Sequence, residues 1–243
     1  MLNYNNTADE IVEKSSDLAI LPIGSTEQHG PHLPLCTDSV VATEIAKRVA
    51  EKTGAYLLPT LPISTCYEHK GKKGSVWMSP STFYNVISDI VLCLKGQGFK
   101  RVAILLGHGG IFIATPVIRE LNAMYDDLKV VKIDLLQFFS TKEMNEVLES
   151  KNNLHACEYE TSLMLYLKEE LVKKDKIDGA DFVPDYPRDY LNYISLVKLS
   201  DTGVWGEPSL GTKEKGEKVV KILTEKSIEY LNDAFNKMEY KAW

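Results

Sequence analysis

Fifteen residues, Gly24-Ser25-Thr26-Glu27-Gln28-His29-Gly30-Pro31-His32-Leu33-Pro34-Leu35-Cys36-Thr37-Asp38, gather two carboxylates and two imidazoles on a segment too rich in glycine and proline for regular structure. Glu27 and His29 are two apart, so in extended backbone their side chains leave the same face. Asp38 follows after a proline-stiffened excursion. A carboxylate, an imidazole and a second carboxylate on one rigid loop form a donor set for a hard-to-borderline divalent cation. Taken singly, each residue has a plainer reading: Asp38 as a helix N-cap, the others as solvated loop residues. The clustering is what favours a site.

The other chemistry-bearing residues fall at similar junctions. The chain has 5 histidines, and His29, His32, His69, His108 and His155 each lie in a glycine- or acid-rich stretch. His108 belongs to Gly107-His108-Gly109-Gly110, directly after the apolar run Arg101–Leu106. That places it at the carboxyl end of a core strand, where open α/β sheets carry their catalytic groups. Glu68-His69 sits in the loop 65–78, and His155 opens His155-Ala156-Cys157-Glu158-Tyr159-Glu160-Thr161-Ser162. Neither the 107–110 stretch nor Gly71-Lys72-Lys73-Gly74-Ser75 has the spacing of a phosphate-cradling loop. Lys72 and Lys73 admit two readings: a solvated turn, or a loop over the site whose ammonium groups favour an anionic substrate.

Positioning these residues requires strands that stop where the motifs begin. Leu18–Ile23 and Arg101–Leu106 are near-continuous apolar runs, as expected of central parallel strands. Tyr56–Ser64, Val130–Leu136 and Tyr193–Leu199 read as further strands. Helices are expected over 8–14, 39–52, from 79 to about 96, 112–125, 161–172 and 212–238. The alternation predicts an α/β fold: a single three-layer domain over residues 1–243 with a mostly parallel central sheet. The 243 residues suit one large domain. A net charge of −6 argues against a nucleic-acid partner. No run approaches the ~18 apolar residues of a membrane span. The 4 cysteines show no CxxC pair, and with no secretory pattern at the start the expected compartment is the cytoplasm.

The 24–38 segment resembles the signature of the creatininase (creatinine amidohydrolase) family. The likeness continues through Glu68-His69, Gly74-Ser75, Gly107-His108-Gly109-Gly110, the 155–162 segment and Gly203-Val204-Trp205-Gly206-Glu207-Pro208. The resemblance implies a compact α/β fold with a dinuclear metal site hydrolysing a C–N bond of a small molecule. It makes Glu27, His29, Asp38 and His108 metal ligands, Glu160 a further carboxylate ligand and His155 the proton-handling group. It also implies a closed homo-oligomer, commonly a hexamer. A bridging Asp38 would hold two divalent cations (Zn, Mn or Fe), and these would make hydroxide available near neutral pH. Glu68 or His69 would orient substrate or a metal-bound histidine.

The chain departs from the family pattern at Leu106 and Ile111, where asparagines are usual, and at Cys157, where a glycine is usual. Creatininases proper carry an aromatic residue and a glutamate where this chain has Gly109 and Gly110. The reading is therefore a metal-dependent amidohydrolase acting on a cyclic amide or formamide of a small molecule. The alternatives are a non-catalytic metal- or ligand-binding protein of the same fold, or junction residues that serve only as caps and loops. The family's relatives act on substrates as different as a ribosylaminopyrimidine phosphate and a cofactor-precursor peptide.

Overall fold

Strands Leu2–Asn3 (β1), Leu18–Ile23 (β2), Tyr56–Leu57 (β3), Arg101–Leu106 (β4) and Lys129–Asp134 (β5) form one parallel sheet of order β1-β3-β2-β4-β5 in the computed structural model, which describes residues 1–240. Among the described residues eight α-helices complete it: Ala8–Lys14 (α1), Thr37–Thr53 (α2), Pro80–Gly96 (α3), Ala114–Met124 (α4), Lys142–Val147 (α5), Glu158–Leu167 (α6), Leu196–Leu199 (α7) and Lys213–Tyr240 (α8).

β2, and β4 after Arg101, run apolar because both of their faces are covered. Ala103 and Leu105 point into a core shared with Val41, Ile45 and Val49 of α2 and with Leu223 and Leu231 of α8. Val102, Ile104 and Leu106 point the other way, against Phe83, Ile87 and Val91 of α3 and Val117 of α4. Each such fully buried aliphatic side chain contributes about 1.5–3 kcal/mol. The three-layer, parallel α/β architecture expected from the sequence is present.

The topology explains where a site must form. The chain leaves β2 through α2 on one face and leaves β4 through α4 on the opposite face. β2 and β4 are neighbours in register, Ile23 beside Leu106. Their carboxyl ends therefore splay apart into a crevice at a topological switch point, the usual ligand position in open α/β sheets.

Four expected elements differ in extent or type. Tyr56–Ser64 pairs as a strand only over Tyr56–Leu57, because Pro59 and Pro62 cannot donate to a ladder. Leu58 N and Leu61 N still bond Ile20 O and Pro22 O, so the segment stays beside β2. β5 ends at Asp134, whose Oδ1 accepts from Leu136 N and turns the chain into a 3-10 helix. α6 spans Glu158–Leu167 rather than 161–172, which brings Glu160 into its first turn. Tyr193–Leu199 is no strand: burial recurs at Leu196 and Ser200, one helical turn apart, and Ser195 Oγ is anchored on the carbonyls of Glu68 and Lys70. Among the described residues, no helix is long and apolar enough to cross a membrane.

Candidate functional site

The loop after β2 delivers Glu27 and His29, and the first turn of α2 delivers Asp38, where the helix dipole favours a carboxylate. Asp38 is not a cap: the N-cap is Cys36, and it makes no side-chain capping bond. The loop after β4 delivers His108. Gly107 allows the close approach, since a Cβ there would stand 2.7 Å from the Asp38 carbonyl oxygen. The 3-10 turn Tyr67–His69 adds Glu68 and His69. His155 is held by a two-way backbone pairing with Trp205, and Glu160 lies one turn on. The 203–208 motif thus serves to place His155.

Asp38 lies between two histidines, with Oδ1 3.1 Å from His29 Nε2 and Oδ2 3.1 Å from His108 Nδ1. Glu27 Oε2 is 3.2 Å from His108 Nδ1, and Oε1 is 3.0 Å from His69 Nε2 and 3.7 Å from His155 Nδ1. Glu160 Oε1 is 3.8 Å from His29 Nε2, and its other oxygen accepts from Ala156 N. Glu68 stands behind His108, with Oε1 3.2 Å from Nε2.

Neither oxygen of the fully buried Glu27 carboxylate takes a hydrogen bond, nor does Asp38 Oδ2. Such orphaned buried acceptors are costly unless a cation satisfies them. The nitrogens nearby are oriented to match. His29 Nδ1 faces Glu27 O at 3.1 Å and His155 Nε2 faces Gln28 O at 2.6 Å, so each carries its proton there and turns its other nitrogen to the cluster. Two donor groups converge on this pattern, Glu27–Asp38–His108 and His29–Asp38–Glu160, with Asp38 common to both. Glu27, His29 and His155 form a third. The residues present fit a pair of divalent cations of the carboxylate–imidazole class.

Electrostatics follow from the same contacts. Burial raises the Glu27 carboxyl, but the His108 and His69 rings outweigh it and hold Glu27 well below the usual carboxylate range. Burial lowers His29 and His108, yet Asp38 beside the first and Glu27 and Asp38 beside the second raise both well above the ordinary histidine value. His155 moves the other way, pushed well down by burial and then by the His69 and His29 rings.

The structure brings Glu27, His29, Asp38, His108, His155 and Glu160 together and sets Glu68 beside His108. His69 joins them; its Nδ1 lies 3.0 Å from Gln28 Nε2, whose amide also donates to the Gly203 carbonyl. Nothing in the sequence singles out Gln28, because alternation puts its side chain opposite Glu27 and His29. His32 is the histidine outside the cluster: its Nε2 pairs with Thr161 Oγ1 at 2.9 Å, and burial together with nearby His29 pushes it down to about 4. Glu158 is also no part of the site. Fully buried, it accepts from Glu149 N at 3.0 Å, Ser150 N at 2.7 Å and Lys215 Nζ at 2.5 Å. Leu106, Ile111 and Cys157 are core residues. A cavity of about 310 Å³ opens on the cluster, with His108, His155 and Glu160 in its wall. Lys72 and Lys73 do not line it, and Lys72 Nζ instead bonds Asp201 O at 3.3 Å.

Comparison with known proteins agrees with this geometry. The family described as creatininase, creatinine amidohydrolase, matches residues 4–231. The creatinine amidohydrolase of Pseudomonas putida is 27% identical over 233 residues, covering 89% of each chain. A 2-amino-5-formylamino-6-ribosylaminopyrimidin-4(3H)-one 5'-monophosphate deformylase of Methanocaldococcus infernus is 34% identical over 144 residues, covering 56% of this chain and 59% of the relative. A crystal structure of creatinine amidohydrolase superposes with a TM-score of 0.83 at 23% identity, covering 96% of this chain and 98% of that one, and solved creatininases of the same fold include zinc–zinc and manganese forms. With its parallel sheet, its paired donor groups and a match over nearly its whole length, the chain belongs to the creatininase family of metal-dependent hydrolases.

Proposed function

We propose that this chain is a dinuclear metal-dependent amidohydrolase, one domain that hydrolyses a cyclic amide or formamide C–N bond of a small molecule. The observation that carries the reading is the wholly buried Glu27 carboxylate with neither oxygen hydrogen-bonded, set within 3.2 Å of His108 Nδ1. Glu27, Asp38 and His108 would hold one cation and His29, Asp38 and Glu160 the other, with zinc, manganese or iron all suited to these donors. When bound, such a pair makes hydroxide available near neutral pH and polarises a carbonyl.

The remaining work falls to the chain. The Glu68 carboxylate, 3.2 Å from His108 Nε2, favours the proton on that nitrogen by its charge and so leaves Nδ1 facing Glu27 and Asp38. Glu27 O does the same for His29 Nδ1. His155 keeps its Nε2 proton on Gln28 O, so its Nδ1 is the atom that takes up a proton and passes it to the departing nitrogen. Because burial holds His155 neutral, it starts in the form able to accept that proton. Leu136, Leu154 and Leu196 give the cavity apolar walls that limit water.

The deciding assay is hydrolysis of a panel of lactams and formamides by protein loaded with each metal, read as amine or formate release. Metal-stimulated turnover that chelation abolishes is expected. Tight metal binding without turnover on any member would return the protein to a binding role. The substrate is read as a small molecule, the compartment as the cytoplasm, and the assembly as a hexameric homo-oligomer. Light scattering that finds a monomer would refute the last of these.

A further inference from the structure

Arg188 opens the 3-10 helix Arg188–Asn192 and, among the described residues, is the one lysine or arginine side chain lining the cavity. It comes close to the first of the two glycines that follow His108. A Cβ on Gly109 would stand 3.8 Å from Arg188 Nη2 and 2.8 Å from Leu136 Cδ1; one on Gly110 would stand 2.0 Å from Glu68 Oε1. The guanidinium therefore hangs over the backbone that carries His108.

Its neighbour Asp189 is engaged elsewhere. Asp189 Oδ1 accepts from Asn192 Nδ2 at 2.7 Å and Oδ2 from Tyr193 OH at 3.1 Å. Among the described residues, no carboxylate pairs with Arg188. Leu136, Leu191, Leu196 and Phe112 share the wall with Asp189 and Asn192, and on its other side Arg188 adjoins Lys132 and Asp134. A planar fork of donors at the cavity wall, with no carboxylate paired to it, matches a carboxylate or phosphate. The cavity, about 310 Å³, is at the small end of ligand pockets.

We infer that Arg188 is a specificity-determining residue that pairs with the carboxylate or phosphate group of a small amide whose carbonyl lies at the Glu27–Asp38–His108 cluster. The inference rests on the hydrolase reading above and deepens it by assigning the substrate's charge. That charge recognition, which the sequence alone suggested for Lys72 and Lys73, falls to a residue 115 positions further along the chain from Lys73.

Three matched probes test it: N-formylglycine, N-formylaminomethylphosphonate and neutral N-formylglycinamide. Each is titrated by calorimetry into metal-loaded wild type, Arg188→Gln and Arg188→Lys, and hydrolysis is followed separately. Wild type should bind one anionic probe more tightly than the amide. That preference should fall about 10- to 100-fold in Arg188→Gln and survive in part in Arg188→Lys, the size expected for one charge-assisted pair. The probe that loses more names the anion. A preference unchanged in Arg188→Gln would assign it to the cations and overturn the inference, as would a wild type with no preference. Selective binding without hydrolysis would leave Arg188 in place and count against the hydrolase reading alone.

Discussion

Asp38 is the one residue common to the Glu27–Asp38–His108 and His29–Asp38–Glu160 groups, so replacing it and replacing Glu160 must differ in a countable way. Asp38 offers Oδ1 beside His29 Nε2 and Oδ2 beside His108 Nδ1, each at 3.1 Å. Glu160 approaches only His29 Nε2, at 3.8 Å. A cation held at a hundredfold its Kd stabilises the fold by about 2.7 kcal/mol, so two contribute roughly 5 kcal/mol. For a chain of 243 residues, each kcal/mol moves Tm by about 2–4 °C. Wild type should therefore melt roughly 10–20 °C higher loaded than stripped. Asp38→Asn, nearly the same shape, should lose most of that difference and bind close to no metal. Glu160→Gln should keep about half of the difference and one ion per chain. Scanning calorimetry beside elemental analysis reads both quantities. Equal metal loss in the two variants, or two ions retained in Asp38→Asn, would refute a shared carboxylate.

Three further outcomes follow from the site and its supports. His155→Gln should keep its metal and lose about 10²- to 10⁴-fold in turnover, the usual size of acid–base assistance; loss of metal as well would make His155 a ligand. His29 and His108 are raised well above the ordinary value by neighbouring carboxylates that outweigh burial, so protons compete with cations there. Metal affinity measured by competition with a chelator should thus climb with pH until it passes the raised values of these rings, roughly tenfold per unit for each proton displaced, and level off above them; a flat profile would refute the competition. With metal stripped the sign reverses: the stability these two protonated rings contribute is present below about pH 6.5 and is lost as pH rises through their raised values. Glu158→Gln should leave metal content near wild type but cost about 1–3 kcal/mol, or roughly 2–12 °C in Tm, because it leaves Lys215 Nζ with only Glu149 and the Leu210 carbonyl and weakens the hold on the backbone at Glu149 and Ser150. An unchanged Tm would place that ion pair at the surface in effect.

How much was legible beforehand depended on the range of the interaction. Apolar runs at Leu18–Ile23 and Arg101–Leu106 announced central strands, since burial on both faces leaves no room for alternation. The 24–38 motif announced Glu27, His29 and Asp38 because its residue types are unusual together and local backbone direction sets which of them share a face. His108 was legible for a similar reason, sitting where a core strand ends. Local pattern misled where proline or a side-chain bond cut a strand short, at Tyr56–Ser64 and beyond Asp134.

What tertiary structure alone decided is which distant groups meet. Glu158 and Glu160 are equal candidates on paper; three-dimensional packing turns the first toward Lys215 and the second toward His29. Gln28 acquires its role from Gly203, 175 residues away, and His32 is drawn off to Thr161, 129 residues away. The cavity's cation moved from Lys72–Lys73 to Arg188 for the same reason. A charge run in sequence records composition, whereas a charge in a cavity depends on where the loops close, here around the splayed ends of β2 and β4.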